Sequence, residues 1–153
     1  MCGIFGLVVN KNQTINNKKS LDEALNLLSH RGPDQSGIYF NEQVYLGHKR
    51  LSIIDPNNGK QPMVSNDKRY IITFNGEIFN YKTIRLLLSK KGYVFNTNSD
   101  TEVILAAFDF FGFDCLQYFN GMFSFAIWDT LKKQLFLARD RFGIKPLFLL
   151  MLK

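Results

Sequence analysis

The chain begins Met1-Cys2-Gly3-Ile4-Phe5-Gly6-Leu7-Val8-Val9. Residues 3–9 are apolar and β-prone and are followed by a polar turn, so we predict a buried strand that holds Cys2 rigidly. Removal of Met1 would put the Cys2 thiol and a free α-amine on one residue. An α-amine titrates at about 7.7–8.0 and a thiol near 8.5, so the pair can serve as nucleophile and base. On this stretch alone, exposure of a small residue by ordinary processing is the simpler interpretation.

The rest of the chain mixes helix patterns with strand patterns. Capping-box sequences predict helices that begin at Ser20 and Ser99, and another amphipathic helix is expected over residues 81–91. Strands are predicted over residues 44–46, 51–54, 70–74, 122–128, 134–138 and 148–152. The dipeptide Asn75-Gly76 is expected to stop the 70–74 strand. Hairpin-like spacing favours an α+β architecture over a parallel doubly wound sheet.

Composition excludes several functional classes. The net charge is +6, but the basic residues occur as scattered pairs, which is typical of solvated faces and not of a nucleic-acid surface. Cys2 and Cys115 lack the spacing of a zinc site or a disulfide framework, so we expect no metal. The sequence has neither an export signal nor an apolar run of membrane-spanning length. We therefore expect a cytoplasmic protein without a membrane or nucleic-acid partner.

Five motifs follow one another along the chain: Cys2-Gly3-Ile4, His30-Arg31-Gly32-Pro33-Asp34, residues 47–55, Asn75-Gly76-Glu77-Ile78 and Ser99-Asp100-Thr101-Glu102. In this order they resemble the class II glutamine amidotransferases, and most closely the glutaminase half of glutamine-hydrolysing asparagine synthetase. The segments 125–129 and 138–147 extend the resemblance, which runs from Met1 to about Leu149. It implies an α+β fold of the N-terminal nucleophile hydrolase type, a four-layer sandwich in which helices flank two antiparallel sheets.

The resemblance also implies catalytic roles. The Cys2 sulfur would attack the side-chain amide of L-glutamine and form a glutamyl thioester, with the α-amine of the same residue moving the proton. The side-chain amide of Asn75 and the backbone N–H of Gly76 would stabilise the oxyanion. Taken alone, Asn75-Gly76 is more typical of a type I′ hairpin turn.

Substrate-binding roles are implied for five further positions. Arg50 would bind the α-carboxylate of glutamine, although an exposed charge at a strand end is the usual alternative. Asp100 would bind the α-ammonium, although helix capping would also explain it. Leu51 and Ile53 would line the substrate through their backbone or serve only as core side chains, and Glu77 is a weaker contact. His30 and His48 are interpreted as structural.

The synthetase half of the resembling family is not visible in the sequence. The chain contains no Ser-Gly-Gly-x-Asp-Ser loop and no Walker motif, so ATP and Mg are expected only with a synthetase domain or chain. We expect residues 1–153 to form a type-2 glutamine amidotransferase domain that is truncated at its C-terminal end. An incomplete sheet would leave an apolar edge around residues 148–151, which favours a partner strand or homo-oligomerisation.

Three functions remain open on the sequence. The first is a glutaminase that supplies ammonia for ATP-dependent amidation of aspartate. The second is a catalytically silent fragment or interaction module that keeps the fold. The third is an amidotransferase with a different acceptor, such as a sugar phosphate.

Overall fold

A computed structural model describes residues 1–151. Within them, the strands are β1 (Gly3–Val8), β2 (Gln35–Phe40), β3 (Val44–Arg50), β4 (Met63–Val64), β5 (Tyr70–Ile78), β6 (Gly121–Asp129) and β7 (Gln134–Arg139). The α-helices are α1 (Lys18–Asn26), α2 (Tyr81–Lys90) and α3 (Asp100–Phe111). Short 3₁₀ helices cover Ser29–Arg31 and Gly112–Tyr118.

The strands form two antiparallel sheets, one in the order β1-β3-β2 and the other in the order β4-β5-β6-β7. Helix α1 packs on β1 and β3, these two strands contact β5, and α3 packs on β5 and α2. The order of layers is therefore helix, sheet, sheet, helices. This arrangement confirms the predicted α+β sandwich with helices outside two antiparallel sheets.

Strand β5 separates two apolar cores because alternate side chains of a strand point to opposite faces. Ile72 belongs to the core that the four-stranded sheet shares with α2 and α3. Its neighbour Ile71 belongs to the smaller core between the two sheets, together with Leu46 and Trp128. By the same alternation, Asn75 shares the face of Ile71 and points toward the three-stranded sheet.

Two strand predictions were wrong because pairing with neighbouring strands overrides local composition. The strand predicted over residues 44–46 continues through residues 47–50, which form the second half of β3 and pair with both β1 and β2. Asn75 and Gly76 do not stop β5, since they pair with Ser124 and Phe123 of β6. The type I′ turn is thereby excluded.

Three further expectations are corrected at the ends of elements. Residues 51–54 form a loop rather than a strand, and residues 148–151 are not a strand either, although they are exposed and apolar. Residue 152, the end of that predicted strand, lies outside the described residues. Helix α1 is capped by Asn17, whose side chain accepts from Ser20 N, so Ser20 is not the cap. Strands β2 and β4 were not predicted.

His48 joins the two sheets. It is fully buried on β3, and its Nε2 donates to the Phe74 carbonyl oxygen on β5 at 3.0 Å. Because that acceptor requires the proton on Nε2, the neutral imidazole leaves Nδ1 bare. Burial, assisted by the nearby Arg50 charge and opposed by the Phe74 hydrogen bond, lowers the pKa of His48 to about 4.

This low pKa predicts a pH-dependent stability. Between pH 6.5 and about 4 the unfolded chain binds a proton on His48 that the folded chain does not bind, so stability is lost as the pH falls through this range. The contribution is on the order of 3 kcal/mol. Urea unfolding at several pH values should show that His48→Gln has a flatter dependence than the wild type.

The exposed His30 provides the matched control, and His30→Gln should keep the wild-type slope. Parallel curves for His48→Gln and the wild type would contradict the assignment.

Candidate active site

A cavity of about 100 Å³ lies where the beginning of β1, the middle of β5 and the beginning of α3 meet. All eight site residues proposed from the sequence line it: Cys2, Arg50, Leu51, Ile53, Asn75, Gly76, Glu77 and Asp100. They come from both sheets, from α3 and from the loop after β3. Packing of the layers therefore gathers residues that are up to about a hundred positions apart in the sequence.

Cys2 is half-buried at the edge of this cavity. Its position is fixed by the neighbouring Gly3, which pairs with Lys49 of β3, and by Arg31, whose Nε donates to the Cys2 carbonyl oxygen at 3.1 Å. The backbone N–H of Leu51 points at the Cys2 sulfur at 3.4 Å. The sulfur also lies 3.7 Å from the Leu51 carbonyl oxygen, so contacts with the Leu51 backbone hold it at the cavity wall.

The second cysteine offers a contrast. Cys115 is fully buried in the core between the four-stranded sheet and its helices. Burial, together with the nearby Asp114, raises its thiol pKa to about 12. A thiol of that kind is inert at neutral pH.

Asn75 presents an uncommitted amide. The side chain is only 4% exposed, yet it makes no hydrogen bond within residues 1–151. Buried amides are nearly always paired in folded proteins. The Asn75 side chain is therefore available as a donor to a molecule in the cavity.

The N–H of Gly76 points to the same side. The two N–H groups that flank it on β5 point away from β6, since Phe74 N donates to Gln61 Oε1 at 2.7 Å and Ile78 N donates to Asp100 Oδ2 at 3.2 Å. Alternate residues of a strand direct their N–H groups to the same edge. The Gly76 N–H therefore points to this edge as well, where β4 pairs only with Ile71 and Ile72.

Glycine is required at this position. A Cβ on residue 76 would collide with the Met122 carbonyl oxygen of β6, and the φ angle is +156°. Asn75 and Gly76 thus supply two adjacent donors at one wall of the cavity.

Asp100 is a buried carboxylate in the same cavity. Helix capping does not require it, because Ser99 caps α3 by accepting from Thr101 N at 3.1 Å. Burial raises the pKa of Asp100 to about 6, the nearby Glu77 adds to the rise, and the hydrogen bond from Ile78 N opposes it. Such a carboxylate gains most from a cationic partner.

Arg50 differs from the expectation. It is buried rather than exposed, and its two Nη atoms already donate to Gln35 Oε1 and to the carbonyl oxygens of Ile54, Asp55 and Pro56 at 2.8–2.9 Å. The guanidinium therefore organises the loop after β3. Only its Nε–H is left for a ligand in this arrangement, so a two-pronged grip on a carboxylate would require the loop to move.

The remaining predicted residues differ in their exposure and in whether they line the cavity. Ile53 is 74% exposed, so it is not a core side chain, whereas Leu51 is half-buried and contacts Cys2 through its backbone. Neither histidine belongs to the described residues that line the cavity. His30 Nδ1 instead lies 3.0 Å from the Leu27 carbonyl oxygen at the protein surface.

Sequence reasoning missed two residues of the site. Gln61 accepts from Phe74 N and donates from Nε2 to Thr101 Oγ1 at 3.3 Å, so it ties β5 to α3. It lies in a polar loop that carries no pattern to single it out. Lys145 also lines the cavity. It lies in the 138–147 motif, but that motif contributed only to the resemblance.

Among residues 1–151, no three His, Cys, Asp or Glu side chains are grouped as metal ligands. None of the helices in this part of the chain is long and apolar enough to cross a membrane.

Comparison with known proteins places this geometry in a family. A family model described as a glutamine amidotransferase domain matches residues 1–153. The chain is 43% identical over 150 residues to glutamine-hydrolyzing asparagine synthetase 3 of Bacillus subtilis, which covers 97% of this chain and 24% of that protein. It is 41% identical over 149 residues to glutamine-hydrolyzing asparagine synthetase B of Escherichia coli, with 97% and 27% covered.

A solved structure shares the fold. The glutamine phosphoribosylpyrophosphate amidotransferase of B. subtilis superposes with a TM-score of 0.58 at 23% identity, over 69% of this chain and 25% of that one. The chain spans about a quarter of the length of the curated relatives that it matches. The family model covers every residue, and the chain therefore belongs to the glutamine amidotransferase domain family.

Proposed function

We propose that this domain hydrolyses the side-chain amide of glutamine through a thioester on Cys2 and supplies the ammonia to an asparagine synthetase reaction. One observation carries the proposal: Cys2, which directly precedes β1, and Asn75-Gly76 of β5 in the other sheet line a single cavity with the buried carboxylate of Asp100. A nucleophile, two oxyanion donors and an anchor for an amino group are the parts that this hydrolysis needs.

The proposed reaction begins after Met1 is removed. The α-amine of Cys2 accepts the thiol proton, and the sulfur attacks the amide carbon of glutamine. The negative charge that develops on the amide oxygen is stabilised by the Asn75 side-chain N–H and the Gly76 backbone N–H. Collapse of the tetrahedral intermediate breaks the C–N bond, and the protonated α-amine gives its proton to the departing ammonia. Water then cleaves the thioester to glutamate and free thiol.

Substrate binding uses the charges of the cavity. Ionised Asp100 pairs with the α-ammonium of glutamine, and Glu77 adds negative potential on the same side. Arg50 attracts the α-carboxylate through its Nε–H and through the positive charge that it brings to the loop. Leu51 and Ile53 line the same loop with their backbone groups.

The acceptor half of the proposal rests on the named relatives, which are asparagine synthetases. Most of the length of these relatives lies outside the segment that matches this chain. We assign the ATP- and Mg-dependent amidation of aspartate to that larger segment. A synthetase domain or chain is then the partner of this domain. Exposed apolar side chains at Phe142 and Phe148 give such a partner a surface to cover. The cytoplasmic location expected from the sequence is part of the same proposal.

The nucleophile is tested by Cys2→Ala. The rate of glutamate release from glutamine is measured with a coupled dehydrogenase assay on protein that lacks Met1. In Cys2→Ala this rate should fall to background because no thioester forms. The matched control is Cys115→Ala, which removes the buried and inert thiol and should keep the activity of the folded protein. Equal glutamate release by wild type and Cys2→Ala would contradict the mechanism and favour a silent interaction module.

The oxyanion donor is tested by Asn75→Ala. We expect kcat for glutamine hydrolysis to fall by about 10²–10³, because the lost interaction forms mainly in the transition state, while KM changes little. Asn66→Ala changes an exposed amide and should leave both constants unaltered. A rise in KM with unchanged kcat would show that Asn75 only binds the substrate.

The role of Asp100 gives a pH prediction. Its carboxylate becomes protonated as the pH falls through about 6, so KM for glutamine should rise below that pH. Asp100→Asn keeps an oxygen to accept from Ile78 N but has no charge, so KM should be high at every pH and the rise below pH 6 should disappear.

Asp109→Asn is the control on the same helix, since Asp109 is exposed. It should keep the wild-type dependence of KM on pH. A wild-type KM that stays constant from pH 7.5 to 5 would contradict the assignment.

A further inference from the structure

Lys145 is a buried cation without a carboxylate partner. The residue is only 4% exposed, and its Nζ lies 2.9 Å from the Met1 sulfur in the cavity that Cys2 lines. The ion pairs found within residues 1–151 are Lys18 with Asp22 and Arg69 with Asp129, so Lys145 belongs to neither. Lysines are almost never fully buried unless they are paired, so the burial of this ammonium needs a functional explanation.

The position of Lys145 is tightly built. Its backbone N–H donates to Asp140 Oδ2 at 3.0 Å, and its carbonyl oxygen accepts from Arg139 Nε at 2.7 Å. Asp140 also accepts from the N–H groups of Phe123 and Ile144, at 3.2 and 2.9 Å, which anchors the turn to β6. The turn therefore directs Lys145 to the cavity as a fixed feature of the fold.

The partner of this ammonium changes when Met1 is removed. The thioether that Lys145 contacts leaves, and the new α-amine is created on Cys2, the next residue, which lines the same cavity. A positive charge disfavours a second positive charge nearby and favours a nearby negative one. The charge of Lys145 would therefore favour loss of a proton from the α-amine of Cys2 and from its thiol.

We propose that Lys145 is a positioning residue whose positive charge favours the uncharged form of the Cys2 α-amine and the loss of the Cys2 thiol proton at neutral pH. This inference rests on the proposed function, because it concerns the nucleophile of that reaction. When the thiol reacts, its proton passes to the free amine, and no other reactant is required. Without Lys145, both groups would hold their protons to higher pH.

Other charged groups face the same nucleophile. Arg31 donates to the Cys2 carbonyl oxygen, and Arg50 contributes a second cation from the end of β3. Glu77 and Asp100 line the same cavity with carboxylates and act in the opposite sense. All four remain when Lys145 alone is replaced, so a comparison with the wild type isolates the lysine.

The test measures how fast iodoacetamide alkylates Cys2 as a function of pH. Peptide mass spectrometry on the full chain after Met1 removal assigns the modification to Cys2, and the buried Cys115, with its pKa near 12, does not compete. Lys145→Met should shift the apparent pKa of alkylation upward by about one unit. Lys145→Gln, a neutral polar alternative should the methionine variant fold poorly, should give the same shift.

Two variants control for structure and for net charge. Lys145→Arg keeps the charge and should retain the wild-type profile within a few tenths of a unit, whereas Lys132→Met removes an exposed lysine and should leave the profile unchanged. Superimposable profiles for wild type, Lys145→Met and Lys145→Gln would overturn the proposal. Equal shifts in Lys145→Arg and Lys145→Met would also overturn it, since the effect would then be one of shape.

Alkylation requires no glutamine, which separates this inference from the proposed function. A wild-type protein that releases no glutamate would contradict the proposed function, while the alkylation profiles would still decide the role of Lys145. In active protein, the acidic limb of kcat/KM should move upward with the alkylation profile in Lys145→Met.

Discussion

Two buried hydrogen bonds between the sheets set the geometry on which the candidate site depends. His48 Nε2 on β3 donates to the Phe74 carbonyl oxygen on β5, and Thr73 Oγ1 on β5 donates to the Gly47 carbonyl oxygen on β3, at 3.0 and 3.3 Å. Both lie beside Asn75. Each such bond contributes only about 0.5–1.5 kcal/mol net, but leaving its groups buried without partners is costly, so the sheets are held in one register. Since β1 pairs with β3, this register also sets where Cys2 meets β5.

The cavity collects polar groups that the protein itself satisfies only in part. The nearly enclosed side chains of Asn75, Asp100 and Lys145 line it, together with the half-buried Gly76. Groups of this kind reduce folding stability unless they find partners. An amino acid with a charged ammonium and a reacting amide would supply those partners. The same polar groups that make the site unfavourable for folding would thus favour a bound substrate and its transition state.

Much of this arrangement could be predicted from the sequence, and the failures have physical causes. The α3 cap at Ser99 and the β6–β7 hairpin follow from local patterns, and both occur as expected. Asn75-Gly76 was misinterpreted locally because a turn dipeptide can continue a strand when both neighbours pair with an adjacent strand. The resemblance nevertheless selected these two residues, because ordered motifs along the chain carry information that one dipeptide does not.

What the sequence could not reveal lies in long-range contacts. The commitment of the Arg50 guanidinium to the loop at residues 54–56 depends on how that loop folds back, and no periodicity signals it. Gln61 and Lys145 reach the cavity from distant turns for the same reason.

The central claim is that a processed Cys2, and no other thiol, reacts with glutamine in this cavity. Its most direct measurement is peptide mass spectrometry of the protein after treatment with a thiol-reactive glutamine analogue. We expect one adduct per chain, on peptides that begin at Cys2, and protection by excess glutamine. Modification of Cys115, or of chains that still carry Met1, would contradict it.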